Sequence, residues 1–372
     1  MKNLPYFLGF VCMAVAYSVT TTEIETLRLR VQDSSAELTA PEKGVISKFW
    51  STALDQMLLT ETSRECVEIQ RQLAEQKGTE YLSHYAAAYV AEAKNAIETA
   101  FADVQRMEDS QQRQMIERNL MILTAELKSP GVSSLALQRL DAEDAVTRYW
   151  AFKAISSPAV IEQLTSDITG DEKTTEAILS GFKKRISVET QTEIQKRVIR
   201  FCMAFDDPFA RDILVLIADR RIKAYHDWAV HDETLDMSLL TALGNVAMLQ
   251  QDPAVKKEFG RKFAELYALT IQRYLKGKAA LSKDQTARLL TVIAEVDQTV
   301  LAKTMGVKTG ILTSLKRKTG MEREYEVLFG DRMRSGLLAE KFKFDYGKDA
   351  SGKPITAPPE LGPIPEKITS QD

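Results

Sequence analysis

Residues 250–259 read QQDPAVKKEF and residues 156–164 read SSPAVIEQL, so the same Pro-Ala-Val core stands twice behind an Asp or a Ser. The pattern is wider than these two copies. Between residues 42 and 353 the prolines are Pro130, Pro158, Pro208 and Pro253, and they follow Ser129, Ser157, Asp207 and Asp252. A Ser or Asp at an N-cap accepts from the free amides of a first helical turn. Pro just behind it has no amide to leave bare and a φ already suited to helix. The four pairs therefore start helices rather than break them.

Outward from these starts the helical period continues. Phe209, Ile213, Leu216 and Ile217 recur at helical spacing behind Asp207, and Leu289, Val292, Ile293, Val296 and Val300 do the same later. Thr62 and Glu65 frame a further capping box. With 17 Gly and 11 Pro in 372 residues, turn chemistry is thin, and no segment alternates between turn signals as a strand would. The spacing predicts about ten to thirteen helices joined by short loops. The expected class is all-α, an irregular α-solenoid of stacked antiparallel helix pairs, with an irregular helical bundle or an α/α toroid as alternatives.

Composition divides the chain further. Residues 1–18 read as an export signal: Lys2, an apolar run from Leu4 to Tyr17, and small residues suited to cleavage after Ser18. The alternative is an uncleaved anchor. Residues 19–43 are polar, carry Pro41 and read as a linker with one short helix over 23–31. Residues 44–130 form an N-terminal helical region and 131–343 a second one. Residues 344–372 hold five of the eleven prolines and read as a disordered, solvated tail. No later segment approaches the roughly 20 apolar residues of a spanning helix, so no membrane span is expected after cleavage. The destination is periplasmic or extracellular. Cys66 and Cys202 read as two separate buried thiols, although an oxidising compartment would allow them to pair.

The stretch Asp144-Ala-Val-Thr147-Arg148-Tyr-Trp-Ala151-Phe-Lys-Ala154-Ile155 resembles the HEAT-repeat pattern D-x-x-V-R-x-x-A-x-x-A-L, within the armadillo-type α-helical repeats. Asp207 to Arg211 and Asp252 to Lys256 match it in part, keeping the acidic cap, the small apolar position and the cation. The resemblance covers about residues 131–300 and implies stacked antiparallel helix pairs. It also implies structural polar pairs between repeats, Asp144 with Arg148 and Asp207 with Arg211.

Signatures of chemistry are few. A formal charge of -3 leaves no global field for nucleic acid. His226 and His231 sit among Asp227, Asp232 and Glu233, but the i, i+5 spacing keeps the two imidazoles off one helical face. This stretch reads as a polar helix end before a cap at Asp232 or Thr234. Residues 347–353 nearly spell a phosphate loop, yet Pro354 stands where the hydroxyl residue belongs. Tyr81, Tyr85 and Tyr89 follow at i, i+4 and i+8, either a packing seam or a stripe that could stack on a ligand. No catalytic, cofactor or metal residues are assigned, and no cofactor is expected. The reading is a non-catalytic helical-repeat scaffold or protein-interaction module of the cell envelope with a protein partner. The alternative is an α/α-toroid polysaccharide lyase or hydrolase, whose paired carboxylates would come from distant positions.

Overall fold

The computed structural model describes residues 21–31, 36–78, 83–277, 280–317 and 319–365. The export-signal residues 1–18 and Tyr81 lie outside them. Helix makes up about 72% of the molecule. Among the described residues no strand forms, only the isolated bridges Gly330–Ser335 and Lys348–Pro354. The fold is all-α. It divides into two compact units, Met1–Gly181 and Phe182–Asp372, not at residue 130.

Unit 1 holds α1 (21–31), α2 (Ala40–Leu58), α3 (Ser63–Glu75), α4 (His84–Val104), α5 (Ser110–Glu126), α6 (Ser133–Leu137), α7 (Ala145–Ser156), α8 (Pro158–Thr165) and the first part of α9 (Glu172–Ile186). The short helix expected over 23–31 forms, as α1, but the linker around it is corrected for its described part, because α1 is packed. Ile24, Leu27 and Val31 are buried along one face of α1, a stripe too apolar to leave in water. Pro41 sits in the first turn of α2, where its missing amide costs nothing. There Glu42 accepts from the Thr39 amide and hydroxyl, each at 2.8 Å. The break expected at residue 130 is one 3-10 turn, Pro130–Val132, packed on α4 and leading into α6. Helices of this unit pack on the next helix and on the next but one: α2 on α3 and α4, α3 on α5, α4 on α5, α5 on α7.

Unit 2 holds the rest of α9, then α10 (Thr192–Ala204), α11 (Pro208–His226), α12 (Thr234–Leu249), α13 (Pro253–Lys276), α14 (Lys283–Glu295), α15 (Ile311–Arg317), α16 (Met321–Phe329) and α17 (Leu337–Phe342). The same packing order recurs: α10 on α11 and α12, α11 on α12 and α13, α12 on α13 and α14. Helix α13 is the axis of the unit, with Phe259 to Arg273 buried at almost every position. Close approach needs glycine twice. A Cβ at Gly260 would meet the Phe342 ring of α17 at 2.5 Å, and one at Gly244 would meet a Val300 methyl at 2.4 Å. Val300 belongs to a π-helical continuation of α14 over Val296–Thr304, whose wider turns bury Val296, Val300 and Leu301 together.

The solvated tail is corrected too. Over 344–361, Phe344, Tyr346 and Leu361 are buried. An extended, Pro-rich backbone makes few hydrogen bonds within itself, and here side chains supply them. Gln272 Nε2 donates to Pro359 O at 3.1 Å, Lys276 Nζ to Leu361 O at 3.1 Å and Trp228 Nε1 to Gly362 O at 3.1 Å. The amide of Leu361 in turn donates to Gln272 Oε1 at 2.5 Å.

Three of the four expected caps are made. Asp207 accepts from the Phe209 amide at 2.6 Å and Ala210 at 3.3 Å, Asp252 from Ala254 at 2.8 Å, and Ser129 from Gly131 at 3.3 Å. Ser157 stands at the N-cap of α8 but its hydroxyl makes no cap bond, and its buried Oγ has no hydrogen-bond partner among the described residues. Pro158 and the backbone alone start that helix. Asp207→Ala and Asp252→Ala should each cost about 0.5–2 kcal/mol, largely recovered by Ser. Ser157→Ala should cost less than either. Thermal melts of the variants test this, and a Ser157→Ala loss equal to that of Asp207→Ala would contradict the cap geometry.

Candidate functional site

The contacts described for the polar pairs implied by the repeat resemblance join other partners. Asp144 caps α7 through the Thr147 amide at 2.9 Å and takes a two-pronged bond from Arg118 of α5, at 2.8 and 2.7 Å. Arg148 donates instead to the carbonyls of Ala142 and Glu143, each at 2.8 Å. Arg211 bonds Asp206 at 2.5 Å rather than Asp207. The physical reason is reach: once a carboxylate is turned back onto its own helix's amides, the cation one turn on lies off its free edge. The neighbouring helix or the preceding Asp then makes the pair.

The described part of the tyrosine stripe, Tyr85 and Tyr89, is core. Tyr85 and Tyr89 are buried, their rings 5.8 Å apart, with Tyr89 5.3 Å from Trp50. Their hydroxyls donate to Gln76 O at 2.9 Å and Leu73 O at 2.6 Å, covering carbonyls that α3 leaves open at its C-terminus. Neither Tyr85 nor Tyr89 offers a ligand a face to stack on. The phosphate-loop-like stretch is closed as well. Asp349 Oδ1 accepts from the amides of Ser351 at 2.8 Å and Lys353 at 2.9 Å, so a carboxylate of the chain itself takes the donors a phosphate would need. Cys66 and Cys202 are free and buried, and burial pushes the Cys66 thiol up to about 11.

The stretch around His226 and His231 has another use. The N-cap position of α12 is Glu233, which makes no side-chain cap bond; one residue ahead, Asp232 accepts from the Thr234 amide at 2.9 Å and the Thr234 hydroxyl at 2.7 Å, while Glu233 and Asp236 turn fully inward. Arg221 of α11 grips Asp236 at 2.5 and 3.1 Å, and Tyr225 OH donates to it at 2.5 Å. Arg288 of α14 donates to Glu233 at 2.8 Å. Arg273 of α13 lies 3.7 Å from Glu233 and donates to Val230 O at 3.0 Å. That 3.7 Å is an ion-pair contact and not a hydrogen bond, and Glu233 Oε1 has no hydrogen-bond donor among the described residues. The Arg273 plane faces the rings of Trp228 and Tyr225 at 5.6 and 5.9 Å. Trp228 takes a left-handed backbone, φ 55°, uncommon for a bulky residue; its buried ring and its bond to Gly362 hold it there.

Electrostatics follow from this packing. Burial, reinforced by the Asp236 carboxylate, pushes the Tyr225 hydroxyl well above its ordinary value, so it remains a donor. Burial opposes the charge on Arg221, yet Asp236 holds that guanidinium above its usual value. Burial depresses the Arg273 guanidinium. Asp236 and Glu233 are thus each met by guanidinium groups. Among the described residues no group of three or more His, Cys, Asp or Glu is gathered to hold a metal.

An open cleft of about 650 Å³ lies in unit 2 between α13, α16 and the C-terminal strap, residues 355–362. Leu275, Tyr325, Ala357 and Pro358 line it, with Met333 at its edge. Four carboxylates, Glu322, Glu326, Asp331 and Glu360, stand around it against Lys276 and Arg332. Sequence reasoning missed Gln272, Arg273, Asp236 and Tyr325. A signal was present: Asp236 and Arg273 are charges inside otherwise apolar helical faces, where an ionisable group is seldom buried unless paired.

No protein-family model matches the chain, and no curated protein matches it in sequence.

Two substitutions test whether these clusters are structural. Asp236→Ala strands Arg221 and Tyr225 in the interior and should cost about 3–5 kcal/mol, against about 1.5–3 kcal/mol for Tyr225→Phe. Urea melts followed by Trp228 fluorescence, with Trp50 and Trp150 replaced by Phe, report on unit 2. An unchanged midpoint for Asp236→Ala would contradict the assignment. In unit 1, Arg118 and then Thr147 hold Asp144 well below its ordinary 3.8. Its contribution is complete above that unfolded value and is lost as pH falls below it. Asp144→Asn should therefore be about 1–3 kcal/mol less stable than the parent at neutral pH, the gap closing toward pH ~2. An equal gap at both pH values would count against the pairing.

Proposed function

We propose that the protein is an exported, non-catalytic helical-repeat module that binds another protein of the cell envelope. The observation that carries this reading is the packing order: in each unit, taken separately, helices pack on the next and the next but one. Stacked antiparallel helix pairs give that order, because each pair can bury its apolar face only on its neighbours. Together with the Asp144 stretch it supports an irregular HEAT-like α-solenoid. Such stacks offer long ridges and grooves for another chain. The export part rests on Lys2 and the apolar run from Leu4 to Tyr17. No helix among the described residues is long and apolar enough to cross a membrane. The alternative, a polysaccharide lyase or hydrolase, would have to draw its carboxylates from Glu322, Glu326, Asp331 and Glu360 at the open cleft, because Glu233 and Asp236 are enclosed and paired.

Large apolar side chains stand exposed in both units, among them Leu59 at 77%, Ile168 at 81%, Leu249 at 75% and Met333 at 86%. A photo-crosslinking residue placed at each of the four, in turn, should give discrete light-dependent adducts at one or more in the exported fraction. The recovered chain should begin near Val19. Diffuse or absent adducts at all four positions, or intact Met1 in the exported fraction, would contradict the proposal.

A further inference from the structure

The cleft beside the C-terminal strap already shows, within the chain, how this unit reads an extended backbone. Side chains of α13 and the 228–231 connection do the work: Gln272, Lys276 and Trp228 donate to strap carbonyls, and Gln272 accepts from the Leu361 amide. Contacts of this kind recognise main chain and tolerate many side chains. One wall of the cleft is the strap's outer edge, Ala357, Pro358 and Glu360. The opposite wall is α16.

On that wall Glu322, Tyr325 and Glu326 face the cleft together. Glu322 and Glu326 are like charges at i, i+4, an arrangement that weakens a helix. No cation pairs with either among the described residues, in contrast to Glu360, which Lys276 meets at 3.4 Å. Glu324, on the other side of α16, is occupied with the Gly310 amide at 2.7 Å. Tyr325 OH accepts from Gln272 Nε2 at 2.6 Å, which leaves its own proton to donate. Burial pushes that hydroxyl up, so the proton stays on. The cleft therefore offers a hydroxyl donor for a carbonyl, an apolar floor, and two unpaired carboxylates one helical turn apart.

We propose that this cleft binds an extended peptide segment of a partner protein bearing lysine or arginine, laid alongside the strap. Its backbone carbonyl takes the Tyr325 proton, its apolar side chains lie on Leu275 and Pro358, and its cations sit against Glu322 and Glu326. The inference rests on the protein-binding reading above and names the partner's chemistry. Charge complementarity decides the occupant: an acidic or neutral segment would leave the like-charged pair on α16 unrelieved.

Fluorescence anisotropy of the full chain with labelled APKLPKLA, APQLPQLA and APELPELA tests it. APKLPKLA should bind best and APELPELA not at all, with affinity falling as salt is raised. The Glu322→Gln, Glu326→Gln double variant changes two exposed side chains, and removing their repulsion should leave the melting temperature unchanged or higher. It should nevertheless weaken APKLPKLA about tenfold or more, and Tyr325→Phe several-fold. Equal binding of the three peptides, or an unchanged affinity in the folded double variant, would overturn the proposal. So would an absence of binding to the parent protein. In that case the photo-adducts described above still decide separately whether the chain binds protein elsewhere.

Discussion

Glu233 and Asp236 enter the interior of unit 2 one turn apart at the start of α12, and neither has any exposed surface. Taking a carboxylate out of water costs several kcal/mol even after the surroundings relax, and the cost is met only if each oxygen finds a good partner. The partners come from three helices: Arg221 from α11, Arg273 from α13 and Arg288 from α14. An apolar core of equal volume would be at least as stable. What the charges add is register. A slide of α11 or α14 by one turn would leave an ion stranded, so four helices are fixed along their lengths as well as pressed together. Apolar packing alone specifies this poorly.

The same cluster reaches the strap. Arg273 lies against the Trp228 ring, and the Trp228 indole holds the carbonyl of Gly362. One residue earlier on α13, Gln272 joins Tyr325 of α16 to the strap. A Pro-rich segment with little capacity to bond to itself is thereby ordered by side chains of α13 and by Trp228, which lies against the buried Arg273. Interior electrostatics and surface recognition share α13. The cleft lies where the two meet, which is why its walls are well defined although one of them is a loopless extended segment.

Much of the fold was legible in sequence, and for one reason: helix starts leave local marks. Asp207, Asp252, Ser129 and the Thr62–Glu65 box sit within three residues of the amides they serve, so spacing alone finds them. Ser157 shows the limit, since Pro at N1 starts α8 with no help from the hydroxyl. Long-range partners leave no such mark. Arg118 was invisible as the mate of Asp144 because 26 residues separate them, and Arg148, close by in sequence, was the nearer guess. The strap was misread because proline content suggests solvation, whereas Leu361 and Tyr346 hold 344–361 down through contacts that no local pattern encodes. Helix α16 carried its Glu triplet in plain view. Which two of the three faced a cleft depended on α13 and the strap, both far away in sequence.

The union of buried charge, α13 and strap is tested most directly by hydrogen exchange at a single amide, that of Leu361, which donates to Gln272 Oε1. Protection of about 100-fold or more over an unstructured chain is expected in the intact protein, since exchange requires the strap to lift from α13. In Gln272→Met the protection should fall sharply while the amides of the α13 interior stay slow. Free exchange of Leu361 in the parent protein would contradict the ordered strap and, with it, the cleft it helps to form.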